Sequence, residues 1–166
     1  KDIKIPAGYD WTSIRDESNT RSFEGTIEGN YHVISGLRPA NDSTSYKRGL
    51  VARIQDGKVQ NIGLVLEGNW TCGLCHTAVY DINIQNCFVV GTDFLYSSSN
   101  GAATKGTVTN CLAVSGKLEG TKRPNDRRTT FTNCYETTQG DFSSLGGITT
   151  ISKEKLKSGE IAYKLN

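Results

Sequence analysis

The sequence contains no methionine, only three prolines, two tryptophans and two histidines, and no long apolar run. Each scarcity excludes something. Without a stretch of about twenty apolar residues, no helix of this chain is expected to span a membrane. With prolines so few against eighteen glycines, sharp corners fall to glycine rather than to rigid proline turns. With His32 and His76 as the only histidines, the His-Glu-X-X-His signature of zinc proteases cannot be assembled. Lacking Met at position 1 and an N-terminal apolar signal segment, the chain reads as a mature or excised piece of a longer precursor. Charge of one sign is also lacking. Nineteen basic against seventeen acidic residues leave no nucleic-acid footprint, and the one basic cluster, Lys122-Arg123 with Arg127-Arg128, reads as a solvated turn.

What is abundant is repetition. A unit Asn-(Ile/Cys)-X-apolar begins at Asn61-Ile62-Gly63-Leu64 and recurs at Asn86-Cys87-Phe88-Val89 and Asn110-Cys111-Leu112-Ala113. A fourth copy, Asn133-Cys134-Tyr135-Glu136, ends on an acid, and the spacings are 25, 24 and 23 residues. Val59, Ile84, Val108 and Phe131 each stand two positions before the Asn. A period near two dozen, with β-branched residues and glycine corners, points to an all-β fold in which each repeat is one coil of a parallel β-helix, or solenoid. Hydrophobic residues make up 36% of 166, enough for one domain of this kind.

The copies set the expected boundaries. The β-helix covers residues 1–148, about six coils near 1–24, 25–48, 49–72, 73–100, 101–127 and 128–148. The fifth is trimmed, and a polar loop interrupts the second at Pro39–Lys47. Residues 149–166 form a C-terminal tail, partly helical, with Ser152 as N-cap candidate and Gly159 as a break. Six rungs would stack to about 30 Å.

Alternation assigns the faces. With Ile62, Cys87, Cys111 and Cys134 inward, Leu64, Val89 and Ala113 join them, and Gly63, Phe88, Leu112 and Tyr135 face out. Asn61, Asn86, Asn110 and Asn133 suit a left-handed corner conformation, where stacked amides form a structural ladder. Glu136 falls on an inward position, and the cost of an unpaired buried carboxylate implies that the stack ends there, open to solvent or to the tail.

Five cysteines cannot all pair internally. Cys87, Cys111 and Cys134 read as a buried thiol column filling small apolar slots. The string Cys72-Gly73-Leu74-Cys75-His76 matches C-X-X-C-H haem attachment literally. The repeat explains it more economically, since Gly73-Leu74-Cys75 lies over Gly49-Leu50-Val51. A local Cys72–Cys75 disulfide and two free thiols remain the alternatives. No metal or other cofactor is expected, because a zinc site needs more ligands than this segment offers.

Residues Phe23-Glu24-Gly25-Thr26-Ile27-Glu28-Gly29-Asn30-Tyr31-His32-Val33-Ile34-Ser35-Gly36-Leu37, the Gly-Leu-Val/Cys coil starts, the Asn-Cys-Tyr-type units and the ending Leu156-Lys157-Ser158-Gly159-Glu160-Ile161-Ala162-Tyr163-Lys164-Leu165-Asn166 resemble GLUG-type β-helix repeats. Such repeats occur in large secreted and surface proteins of bacteria, gut anaerobes prominently, and in non-catalytic parts of IgA-specific metallopeptidases. The resemblance implies a right-handed, single-stranded parallel β-helix, extracellular or at the cell surface and joined to further domains. It carries over no active site.

Function is less legible. A β-helix glycosidase or lyase needs acids converging from adjacent coils, whereas Glu24, Glu28, Asp56, Glu67, Asp81, Asp93 and Glu119 are spread around corners. An ice-binding Thr-X-Thr row has Thr107, Thr109, Thr130 and Thr132 but is interrupted by Lys58, Gln60, Asn83 and Gln85. The expected binding surface is the outward row Phe88, Leu112 and Tyr135, which could dock a glycan or protein ligand. Its alternative is a row covered by the tail through Leu156, Ile161, Tyr163 and Leu165. Trp70 and Tyr96 are second-choice contacts. The expectation is a non-catalytic, adhesin-like module; a passive stalk is the alternative, and a carbohydrate-active enzyme ranks below both.

Overall fold

The computed structural model describes residues 1–14, 22–39, 49–79, 81–98, 105–118, 128–140 and 146–165. The basic cluster apart from the backbone of Arg128, most of the Pro39–Lys47 loop, the start of the trimmed fifth repeat and Glu119 lie outside the described residues.

The fold is built almost entirely of parallel strands. The first set is β1 (Ile3–Lys4), β2 (Thr26–Leu37), β3 (Val51–Gln55), β4 (Lys58–Leu66), β5 (Cys75–Val79), β6 (Ile82–Gln85) and β7 (Phe88–Val90). There follow β8 (Leu95–Ser98), β9 (Lys105–Thr109), β10 (Leu112–Val114), β11 (Arg128–Thr132), β12 (Cys134–Glu136) and β13 (Ile148–Thr150). Helices α1 (Lys153–Lys157) and α2 (Glu160–Leu165) close the described chain. A helix of no more than six residues cannot span a membrane, and no described helix is long and apolar enough to do so.

Every pairing between strands is parallel, β12 meets β13 after only 14 residues where the other strands pair about a repeat or more apart, and the pairings sort into three ladders. In one, Ile27, Val59, Ile84, Val108 and Phe131 lie opposite one another along β2, β4, β6, β9 and β11. In the second, Ile3, Ile34, Leu64, Val89, Ala113, Glu136 and Thr150 follow in register through β1, β2, β4, β7, β10, β12 and β13. In the third, Val51, Cys75 and Leu95 align β3, β5 and β8. Isolated bridges from Ile14 to Val51 and from Phe23 to Ile54 extend the third ladder toward the N-terminus.

The corner between the first two ladders is made by asparagine. Asn61, Asn86, Asn110 and Asn133 have φ of 56°, 52°, 53° and 51°, a region that asparagine tolerates because its short amide can bond locally. The bend turns the chain without breaking it, so β4 serves the first ladder up to Gln60 and the second from Ile62 onward.

The interior is mainly apolar. Val59, Ile84, Leu64 and Val89 are fully buried, and Leu50, Leu74, Phe94 and Leu118 fill the layer behind the opposite corner. The expected end of the stack at Glu136 is corrected: β13 adds one more strand beyond β12, placing Thr150 opposite Glu136. The carboxylate is only 1% exposed. It accepts the Leu118 N–H (3.0 Å), the Gly140 N–H (2.8 Å) and the Thr150 hydroxyl (3.4 Å). Hydrogen bonding of this kind is what makes a buried carboxylate tolerable.

The tail is helical where expected. Ser152 caps α1, its hydroxyl accepting the Lys155 N–H at 3.2 Å. Gly159, at φ 80°, separates the two helices.

Candidate functional site

Four groups of residues invite a functional reading, and the structure separates them. The first is the asparagine ladder. Asn133 donates to Asn110 (2.8 Å), Asn110 to Asn86 (3.1 Å) and Asn86 to Asn61 (2.8 Å), each through Nδ2 to Oδ1. The chain of amides ends on Glu28, whose carboxylate accepts from Asn61 Nδ2 at 3.0 and 3.1 Å. Glu28 also accepts the Asn30 N–H at 2.7 Å and the Gln60 amide. The Asn30 N–H, then the Gln60 and Asn61 amides, hold this carboxyl below its usual range. At the other end the Tyr135 hydroxyl donates to Asn133 Oδ1 (2.8 Å), and Asn133 Nδ2 also reaches the Lys164 carbonyl (2.9 Å). Every amide is consumed by its neighbour, so the ladder is scaffold.

The second group is the cysteines, all five of them buried free thiols. Cys87, Cys111 and Cys134 stand in a column directly after the corner asparagines. Each Sγ lies against the carbonyl two residues back: Gln85 at 3.0 Å, Thr109 at 3.2 Å and Thr132 at 3.3 Å. The thiol is thus a small apolar filler with a weak donor to offer. Burial pushes Cys111 and Cys72 up strongly and Cys75 up to about 12. Cys134 shifts the other way because the Cys111 thiol donates to it. In the C-X-X-C-H string, Cys75 pairs with Val51 as the repeat demands. His76 stacks on Tyr96 with ring centroids 4.6 Å apart and bonds Thr77 Oγ1 at 3.0 Å. Among the described residues no group of three or more His, Cys, Asp or Glu is placed to hold a metal ion.

The third group is the row Phe88, Leu112 and Tyr135. Register aligns the three as the alternation requires, but the row is not an open surface, which corrects the expected binding face. Leu112 is 9% and Tyr135 8% exposed, clustered with Ile151 and Ile161, and Phe88, Val114, Leu156 and Leu165 pack around them. The physical reason is simple: an apolar ladder beside an amphipathic tail removes more surface from water when the two are joined. The Tyr163 side chain lies outside the described set. Trp70 is likewise a core residue, its Nε1 donating to the Leu37 (3.1 Å) and Glu67 (3.0 Å) carbonyls.

The fourth group escaped the sequence reading as a site. On the outer side of the first ladder, two columns run across five strands. One is Thr26, Lys58, Asn83, Thr107 and Thr130; the other is Glu28, Gln60, Gln85, Thr109 and Thr132. All ten are exposed or half-exposed, and none is apolar or aromatic. The signal was present in the sequence: each inward Val59, Ile84, Val108 and Phe131 is flanked by a hydrogen-bonding residue on both sides. Reading those flanks only as a threonine row concealed that asparagine and glutamine continue the same pattern.

Two corner acids accept backbone N–H groups from the neighbouring repeat. The Asp81 N–H donates to Asp56 Oδ1 (3.2 Å), and the Lys117 N–H to Asp93 Oδ1 (2.8 Å). Each such carboxylate ties its corner to the next, and Asp56 and Asp81 lie exposed on the surface. Compared with protein-family models, curated proteins and solved structures, the chain matches none.

Proposed function

We propose that this chain is a right-handed, single-stranded parallel β-helix of GLUG-type repeats, serving as a non-catalytic, adhesin-like module of a larger secreted or surface protein of bacteria. Its role in this reading is to present a ligand-binding face to a glycan or protein outside the cell. The observation that carries it is the polar face: five strands in unbroken register, ten outward hydrogen-bonding side chains, and no tail laid over them as the tail is laid over the apolar row. Asp56 and Asp93, which accept backbone N–H groups of the neighbouring corner, support the non-catalytic half of the reading. Hydrolysis or elimination would call for carboxyl groups converging on a substrate in a cleft.

The stalk reading draws on a different observation. The residues most suited to strong protein contacts, Leu112 and Tyr135, are committed to the protein's own tail. A screen of the protein against host glycans, plant polysaccharides, mucin and immunoglobulin A, with new reducing ends assayed in the same wells, separates the readings. Saturable binding without product supports the module. Product overturns the non-catalytic assignment, and silence from every probe favours the stalk.

A further inference from the structure

The geometry points to the polar face as a site for an uncharged, extended glycan whose chain runs along the stack, crossing one rung per sugar. The inference rests on the module reading above and names its ligand class.

The argument begins with spacing. Gln60, Gln85, Thr109 and Thr132 follow one another on adjacent strands, so equivalent groups recur about every 4.8 Å. The parallel column through Asn83 and Thr107 stands two residues away along each strand, about 7 Å across the face. A linear polymer with a similarly short repeat meets the same donors and acceptors at every unit. The two columns bracket a strip about as wide as a pyranose ring, so hydroxyls on both edges of each sugar find partners.

Chemistry selects among polymers. The face lacks the aromatic and apolar anchors that dominate protein hot spots, which disfavours a protein ligand. Its described side chains include a single cation, Lys58, and a single acid, Glu28. Glu28 is already engaged by Asn30, Gln60 and Asn61. A polyanion therefore has no basic stripe to follow among the described side chains. What remains is a run of hydroxyls and amides, able both to donate and to accept, and such a run matches a neutral polyol. Asn83 supplies an independent sign of unused capacity. Its Oδ1 is buried within the face and has no hydrogen-bond partner among the described residues, a condition that costs free energy unless a donor arrives or the amide turns outward.

Without aromatic stacking each sugar adds little, so length becomes the diagnostic. The test titrates the isotope-labelled protein with linear β-1,4-linked gluco- and manno-oligosaccharides from dimer to octamer, reading backbone amide shifts by NMR, with mucin as a branched, charged control. The expected result is affinity that rises with each sugar and levels off near five, with shifts confined to the first halves of β2 and β4 and to β6, β9 and β11. Gln85→Ala combined with Thr109→Val should weaken binding roughly fivefold or more while leaving the spectrum of the remaining core in place. Affinity independent of length, shifts elsewhere, or no response to any oligosaccharide overturns the inference. Mucin binding unaffected by the double substitution also sinks it, yet leaves the module reading standing. Silence from mucin as well as from every oligosaccharide removes support from both.

Discussion

At the scale of single residues the asparagine corner does two jobs that no other side chain does together. It holds a left-handed backbone and passes a hydrogen bond along the stack. Asn110, at φ 53° between Asn86 and Asn133, is the cleanest place to separate them. Asn110→Gly keeps the conformation and loses the amide, and should cost about 1–2 kcal/mol from the broken bonds. Asn110→Ala loses the amide and strains the backbone as well, and should cost about 2–4 kcal/mol. Urea unfolding of the pair measures the difference; equal costs would mean that the corner conformation carries no strain. Glu28, where the ladder ends, makes stability depend on pH. Its carboxyl is held down by the Asn30 N–H and by the Gln60 and Asn61 amides, so the folded chain binds that proton less readily than the unfolded chain. The resulting stability is fully present above the unfolded value, about 4.3, and is lost as pH falls through the lower folded value. Subtracting an acid-unfolding series of Glu28→Gln from that of the native chain should leave a term confined to that window. The thiols give a third test. Cys72, Cys75, Cys87, Cys111 and Cys134 are all buried, and Cys75 is pushed up to about 12. Dithionitrobenzoate should therefore find almost no reactive thiol in the folded protein and five once it is denatured.

At the scale of elements, the strands were legible where one local rule repeats. The inward run Val59, Ile84, Val108 and Phe131 and the left-handed asparagines follow from period and residue type alone, because each copy solves the same packing problem. The tail helices were readable from Ser152, the helix formers after it and Gly159. Their destination was open between two readings, of which the covered row is the one the structure shows. Alternation puts Phe88, Leu112 and Tyr135 outward, but whether water or the tail meets them depends on tertiary packing between segments far apart in sequence. Glu136 misled for a related reason. Its position said buried and its chemistry said exposed, and the resolution lies in N–H groups supplied by Leu118 and Gly140, which no periodicity announces. The polar columns were missed because each position taken singly is an ordinary surface residue; only cross-strand register makes them a surface. An element-scale test follows at β13. Gly147 has φ 76°, and a Cβ there would stand 1.8 Å from the Phe131 carbonyl oxygen, so Gly147→Ala cannot be accommodated without moving backbone. It should undock β13 and expose Glu136, seen as lost amide protection in β12 and β13 while β4, β6 and β7 stay protected.

At the scale of the whole molecule, described strands that pair with their neighbours in the stack make the stability of the proposed β-helix largely a sum over adjacent rungs. The inner strands β4, β6, β7, β9 and β10 pair on both sides, and their inward Val59, Ile84, Val89, Val108 and Ala113 are fully buried. The N-terminal layer is different: Ile5, Trp11, Ile14, Phe23, Ile27 and Ile34 are only partly buried against the core, and β1 is two exposed residues long. At the other end the tail contributes through a second, smaller cluster around Ile161. A chain of nearest-neighbour interfaces of unequal strength opens from its weak ends before its middle. Native-state hydrogen exchange should therefore be slowest in β4, β6, β7, β9 and β10, faster in α1 and α2, and fastest in β1. Ile161→Ala, which empties a fully buried position in the tail cluster, should cost about 2–5 kcal/mol of tail docking. It should also speed exchange in α2 and raise binding of a hydrophobic dye as Leu112 and Tyr135 meet water, while the exchange of β4 and β6 stays as it was. Uniform acceleration across all these strands would instead mean that tail and stack unfold as one unit, and that the apolar row is part of the main core rather than a separately closed surface.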